Sequence, residues 1–268
     1  MKTQSIQLPK GINEGMPPLE VSENVTSFFE FWPAWAMYTP VILQWLILSA
    51  RYRSLSLPLI ANPSIPLSGM VGESKSDILE LASDSSSKSI CQFTTYYRSQ
   101  TASAEDDSNK ALAAYYQRGL ALPLVAKPDL GCRGAGVRLI NQEEQLVDYL
   151  KAFPLGAKLL LQERSRYQAE AGVFYIRYPG QKKGKIISIT LKYTPWVVGD
   201  GISTLKQLIM ADKRAGKLSH IYLERHTDKL DTVIEKGESF RLAVAGSHSR
   251  GSIFRNGNEY ITDALSQS

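Results

Sequence analysis

A chain of 268 residues that is 43% hydrophobic and 21% charged has material for a sizeable core, which excludes global disorder. Its net charge of +5 suits anionic ligands, but the 31 Lys and Arg residues are scattered rather than drawn into one stripe, which argues against nucleic acid as a partner. Two cysteines, Cys91 and Cys132, are too few for a disulfide framework, and MKTQSIQLPKGINEGMPPLE lacks the apolar core of a cleavable signal peptide.

In chain order, residues 1–22 read as an irregular polar tail with Pro9, Pro17 and Pro18. Residues 23–60 are an apolar helical segment. No charge occurs from Phe31 to Ala50, and Arg51 and Arg53 follow. Twenty residues at ~1.5 Å each approach the ~30 Å of a bilayer core. Trp32 and Trp35 at one end and the arginines at the other resemble interface anchors and a cytoplasmic flank. Pro33 and Pro40 interrupt the run, however, and VILQWLILSA alone has the length of a buried or interfacial segment. Three readings stand: a helix docked on the body, a helix at a membrane surface, and a span.

Residues 61–118 read as an N-terminal α/β region: a Pro/Gly/Ser loop, a short helix near 74–82, a solvated turn SDSSSKS, and the strand ICQFTTYY. TASAEDDSNK is a polar loop, and NKALAAYYQRGL a helix closed by Gly119. Residues 119–165 then give the strand LPLVAKP, the loop GCRGAG, the strand VRLI, a helix NQEEQLVDYLKAF with Asn141 placed to cap it, and the strand LLLQER. Residues 166–268 give a strand pair, AGVFYIRYP and GKIISITLKYTP, around the turn PGQKKG. A loop and helix follow, with Thr204 and Gln207 at capping-box spacing, and then two strands, FRLAVAG and GSIFRNGNEYIT. The uneven alternation predicts an α+β, or mixed α/β, fold.

The chemistry concentrates in residues 122–150. Lys127 ends an apolar strand and Pro128 follows. Gly131, Gly134 and Gly136 fill the loop around Arg133, and a second strand starts at Val137. Glycines let backbone N–H groups approach an anion, and Lys127 and Arg133 add positive charge. The pattern is a phosphate cradle between antiparallel strands, neither a Walker A loop nor a dinucleotide turn. A plain hairpin loop accounts for the glycines equally well.

VAKPDLGCRGAGV, LLLQER, KYTPWVVGDGISTLKQLI and AGSHSRGSIFRNGNEYIT together resemble the ATP-grasp carboxylate–amine ligases, in the branch of D-alanine–D-alanine ligase and the ligase module of cyanophycin synthetase. The resemblance covers about 119–263 and implies a two-lobed fold, an N-lobe at 119–165 and part of a C-lobe at 166–268. It implies ATP and Mg²⁺ as cofactors and a small-molecule carboxylate and amine as substrates. By the same resemblance Lys127 and Lys192 bind phosphates, and Gly131, Gly134 and Gly136, with Arg133, close over the triphosphate. Gln162 and Glu163 meet the adenine, Glu170 the ribose, and His248 and Arg255 face substrate or phosphate. ATP chemistry places this part in the cytoplasm, on the inner face if the apolar segment attaches to a membrane; a homodimer is compatible. After GNEYIT only DALSQS remains, with no Glu-x-Asn element. The expectation is therefore a C-terminally incomplete ligase without its metal ligands.

Overall fold

The computed structural model describes residues 5–20, 32–70, 72–131, 134–243, 246–263 and 265. In chain order the elements are β1 (Ser5–Ile6), β2 (Leu19–Glu20), α1 (Ala34–Tyr52), α2 (Lys75–Glu80), α3 (Asp84–Ser87), β3 (Phe93–Tyr97), α4 (Ala104–Tyr116), β4 (Leu124–Pro128), β5 (Arg138–Ile140) and α5 (Glu143–Lys151). They continue as β6 (Lys158–Glu163), β7 (Glu170–Ile176), β8 (Lys185–Tyr193), β9 (Trp196–Val198), α6 (Leu205–Ala211), α7 (Ser219–Arg225), β10 (Ser239–Arg241) and β11 (Ile253–Asn256). Helices mix with antiparallel sheets, an α+β arrangement. The chain divides into two compact units, Trp32–Ser165 and Met1–Phe31 with Arg166–Ser268.

In the unit Trp32–Ser165 the sheet order is β3-β6-β4-β5, antiparallel throughout. Strand alternation sorts its faces. Leu124 and Ala126 of β4 and Leu159 and Leu161 of β6 turn into a core with Leu112 and Tyr115 of α4 and Leu146 and Leu150 of α5. Val125 and Lys127 therefore share the opposite face with Leu160 and Gln162. The helix α4 starts earlier than its sequence suggests. Ser103 caps it by accepting from the Asp106 N–H, and the acidic residues of the supposed loop form its first turn. At α5 Asn141 is not the cap. Gln145 reaches back instead, its Oε1 accepting from the Asn141 N–H at 2.7 Å.

A buried pair ties β3 to α4. The Arg98 guanidinium donates to Asp107 Oδ2, and Tyr96 Oη and the Ser99 N–H donate to the same carboxylate at 2.8 and 2.9 Å. Both partners of the pair are buried.

The helix α1 runs through Pro40, from Pro33 to Arg53 in the left-handed region. Thr39 Oγ1 donates to the Trp35 carbonyl at 2.7 Å, in the turn where Pro40 lacks an N–H. No helix among the described residues is long and apolar enough to cross a membrane, which removes the spanning reading. Thr39, Pro40, Gln44 and Arg51 dilute the run. α1 presents its apolar side chains to solvent, Trp35 at 75% and Ile47 at 68% exposure. Phe31 lies outside the described residues.

In the other unit the three-stranded sheet is ordered β11-β8-β7, and β9 pairs with β10. Residues 5–20 are not an irregular tail: β1 pairs with β2, and Leu19 joins Ile189, Leu191, Tyr193 and Ile253 in a core. Asn13 fixes this ribbon by exchanging two bonds with the Thr194 backbone, at 2.9 and 2.7 Å. A second core gathers Leu205 and Ile209 of α6 and Tyr222 of α7 around Val197, Ile234 and Leu242. Thr204 and Gln207 form the expected capping box. The strand read in FRLAVAG stops at Arg241, and residues 244–245 lie outside the described ones.

Candidate functional site

At the exit of β4, Lys127 Nζ donates to Gln162 Oε1 at 2.6 Å. Gln162 Nε2 in turn donates to the Cys91 carbonyl at 2.8 Å, which fixes the amide with its oxygen toward the lysine. Gln162 is the one hydrogen-bond acceptor of Lys127 among the described residues, and no carboxylate there pairs with it. Burial pushes the Lys127 ammonium below the ordinary lysine value, and Lys75 nearby pushes the same way, with Cys91 opposing. An ammonium has three donors. A half-buried one that gives a single bond to a neutral amide is short of negative charge.

The loop beyond it has the backbone that its glycines allow. Gly131, Gly134 and Gly136 all have positive φ. At Gly131 a Cβ would meet nothing within 4 Å among the described residues. Gly136 is the opposite case: its φ is +70° and a Cβ would lie 2.7 Å from Pro128 Cγ, so the loop re-enters β5 tightly over the proline. Tyr149 Oη donates to the Gly136 carbonyl at 2.8 Å and holds that return. Arg133 and Cys132 lie outside the described residues.

Sequence reasoning missed what anchors the loop's other end. Lys75 Nζ donates to the carbonyls of Pro128, Asp129 and Gly131 at 3.1, 3.0 and 2.7 Å. The Asp129 carboxylate accepts from Ser74 Oγ at 2.6 Å and from the Ser76 N–H at 2.8 Å. Burial alone would raise the Asp129 pKa, but the bonds from Ser74 and Ser76 hold it low. No local pattern announces this clamp, because its halves lie 53 to 56 residues apart.

Glu163 ends β6, its N–H donating to the Gln92 carbonyl at 2.8 Å. Near it the Tyr115 hydroxyl is buried, with no hydrogen-bond partner among the described residues. Burial, then the charge of Glu163, push that phenol up to about 12, so it is a protonated donor at neutral pH.

In the other unit the candidate charges are engaged with one another. Glu170 and Lys192 sit opposite each other on β7 and β8, and Lys192 Nζ lies 2.9 Å from Glu170 Oε1. The Glu170 carboxylate lies against the α-carbon of Gly246, where a Cβ would overlap it. Arg255 donates to the carbonyls of Glu20 and Phe254 at 3.2 and 2.9 Å. The His248 ring stacks on Phe254 with centroids 3.7 Å apart. Asp200 accepts from the Ile202 and Ser203 N–H groups and from Ser203 Oγ; these bonds, led by the serine hydroxyl, lower its pKa to about 2. The turn before α6 is thus held by its own bonds.

Among the described residues no three His, Cys, Asp or Glu side chains gather. The partly buried Lys127 ammonium, bonded to the neutral amide of Gln162, has the charge to meet an anionic group.

No family model matches the chain, and no curated protein matches it. Solved structures do. A bifunctional glutathione synthetase from Pasteurella multocida is similar at 15% identity over 66% of this chain and 24% of its own, with a TM-score of 0.29. A D-alanine–D-alanine ligase from Helicobacter pylori is similar at 14% identity over 53% and 38%, with a TM-score of 0.32. The D-cycloserine synthetase DcsG is similar at 15% identity over 64% and 56%, with a TM-score of 0.31. The chain spans from about a quarter to just over half the length of these proteins. Similarity of this extent assigns no function.

Proposed function

We propose that the chain is an ATP-binding protein of the carboxylate–amine ligase kind, with Lys127 and the loop 131–136 as its triphosphate site. The observation that carries this reading is the Lys127 ammonium, partly buried and unmatched by any carboxylate among the described residues. Burying a cation without a counter-ion costs free energy, and an incoming phosphate restores the balance. Gln162 orients the ammonium. Gly131 and Gly134 supply backbone, and the Lys75 clamp fixes where the loop begins.

ATP, when bound, supplies the phosphoryl group that turns a carboxylate into an acyl phosphate for attack by an amine. The chain's own work is positioning and charge neutralisation, with the loop excluding water. By the motif resemblance the end of β6, at Gln162 and Glu163, is assigned to the adenine amino group; the Glu163 side chain itself turns to the core face with Leu161 and Tyr115. In the second unit the motif resemblance assigns Glu170 to ribose hydroxyls, Lys192 to phosphate, and His248 and Arg255 to substrate. No step is assigned to Mg²⁺.

A second reading, nucleotide binding without turnover, is favoured by the Glu170–Lys192 ion pair, which spends both charges on each other. Thermal unfolding with millimolar ATP tests the shared part. The melting temperature is expected to rise, and no rise with or without Mg²⁺ would contradict both readings. ADP release with carboxylate and amine mixtures then separates turnover from binding.

A further inference from the structure

The stretch from Trp32 to Met70 exposes more apolar surface than any role in nucleotide binding explains. Trp35, Val41, Ile42, Leu43, Leu46 and Ile47 of α1 are all half-exposed or more. They point round the whole helix, so α1 lacks the broad charged face of an amphipathic surface helix. Beyond α1 the exposure continues through Leu55, Ile60, Leu67 and Met70. Apolar patches this continuous mark a surface that something covers.

Charge says what covers it. Arg51 and Arg53 are the only charged residues between Phe31 and Gly72, and no carboxylate lies in that interval. Among the described residues neither arginine forms a salt bridge; Arg51 lies 5.6 Å from the Tyr52 ring centroid. Both sit at the C-terminal end of α1, next to Tyr52, with Trp35 and Tyr38 at the other end. Aromatic rings at the ends and arginines at one edge of an apolar body match the boundary between acyl chains and anionic headgroups. A second copy would cover one side of α1 and leave the rest wet, whereas lipid covers every side. An open groove of ≈ 470 Å³ between α1 and residues 54–58, lined by Trp45, Leu48, Tyr52 and Leu57, extends the apolar surface beyond the helix.

We infer that residues 32–70 are a membrane-docking segment, α1 entering one leaflet of an anionic lipid surface with Arg51 and Arg53 at the headgroups. No helix among the described residues is long and apolar enough to cross, so the segment is assigned to one leaflet. This inference stands apart from the nucleotide reading and uses none of its residues.

Flotation of the purified full chain tests it, with vesicles of phosphatidylcholine alone and with a quarter of the lipid replaced by phosphatidylglycerol. The chain is expected to float with the anionic vesicles and more weakly with the neutral ones. Ile42→Glu with Ile47→Glu, both at exposed positions, is expected to abolish flotation with the far-ultraviolet spectrum unchanged. Arg51→Ala with Arg53→Ala is expected to lower partition into anionic vesicles roughly thirtyfold, about fivefold per charge, while binding to neutral vesicles persists. Three results would overturn the inference: no flotation with either vesicle; flotation of the double glutamate variant at the parental level; or a dimer in the aqueous phase that the glutamates dissociate, which would assign the face to a second copy.

Discussion

Lys127 and Gln162 meet across β4 and β6 at 2.6 Å, with the amide held in turn by the Cys91 carbonyl. Replacing Gln162 by Leu removes the ammonium's one acceptor among the described residues. Leaving a partly buried cation unsatisfied is expected to cost about 1–3 kcal/mol. The lysine's folded pKa lies below its unfolded one, so the penalty is fully present below the folded pKa and fades as pH rises toward the ordinary lysine value. Urea denaturation of Gln162→Leu at neutral pH and near pH ~10 checks this: the deficit should shrink at the higher pH.

The Lys75 clamp should matter to the loop more than its surface position suggests. Lys75→Met removes three bonds to the carbonyls of Pro128, Asp129 and Gly131. A loss of about 2 kcal/mol is expected, on the scale of hydrogen bonds from a charged donor. Amide hydrogen exchange should quicken around residues 129–136 before it quickens in β6. Uniform quickening would make Lys75 a general stabiliser rather than a loop anchor.

Acid stability should be governed in part by Asp107. Burial by itself would raise its pKa, but bonds from Tyr96, Ser99 and Arg98 bring it below the ordinary aspartate value. A depressed carboxyl contributes stability that is present above the unfolded pKa and is lost as pH falls through the folded one. Asp107→Asn strands the Arg98 charge and is expected to cost about 3–5 kcal/mol at neutral pH. Denaturation at pH 7 and at pH ~3 should show the gap narrowing in acid.

Gly136→Ala puts a methyl group 2.7 Å from Pro128 Cγ at a φ of +70°. About 1–3 kcal/mol of strain is expected. A melting temperature within a degree of the parent would mean that the loop re-enters β5 with more room than its geometry implies.

Much of the local structure was legible in sequence and much of the wiring was not. The strands around the glycine loop, the β7–β8 pair and the Thr204 capping box follow patterns within about ten residues, where periodicity and side-chain caps act. The start of α4 was misplaced because AEDDSN looks like a loop by polarity, yet acids belong in a helix's first turn behind Ser103. Asn141 lost the cap of α5 because Gln145 could reach back from the helix itself. The Lys75 clamp, the Asn13–Thr194 exchange and the Glu170–Lys192 pair join residues 22 to 181 apart, and only the tertiary register brings them together. For α1 an uncharged run suggests burial, but composition alone does not say whether protein or lipid covers it.

Calorimetric titration of ATP into the parent chain and into Lys127→Met is the most direct test of the triphosphate site. The account predicts saturable binding to the parent that weakens as pH rises through the lowered Lys127 pKa, and at least a tenfold loss in the variant, the ~1.4 kcal/mol of one charge-assisted bond. Equal affinity in the two proteins, or binding to the parent that ignores pH, would take Lys127 out of the site and contradict it.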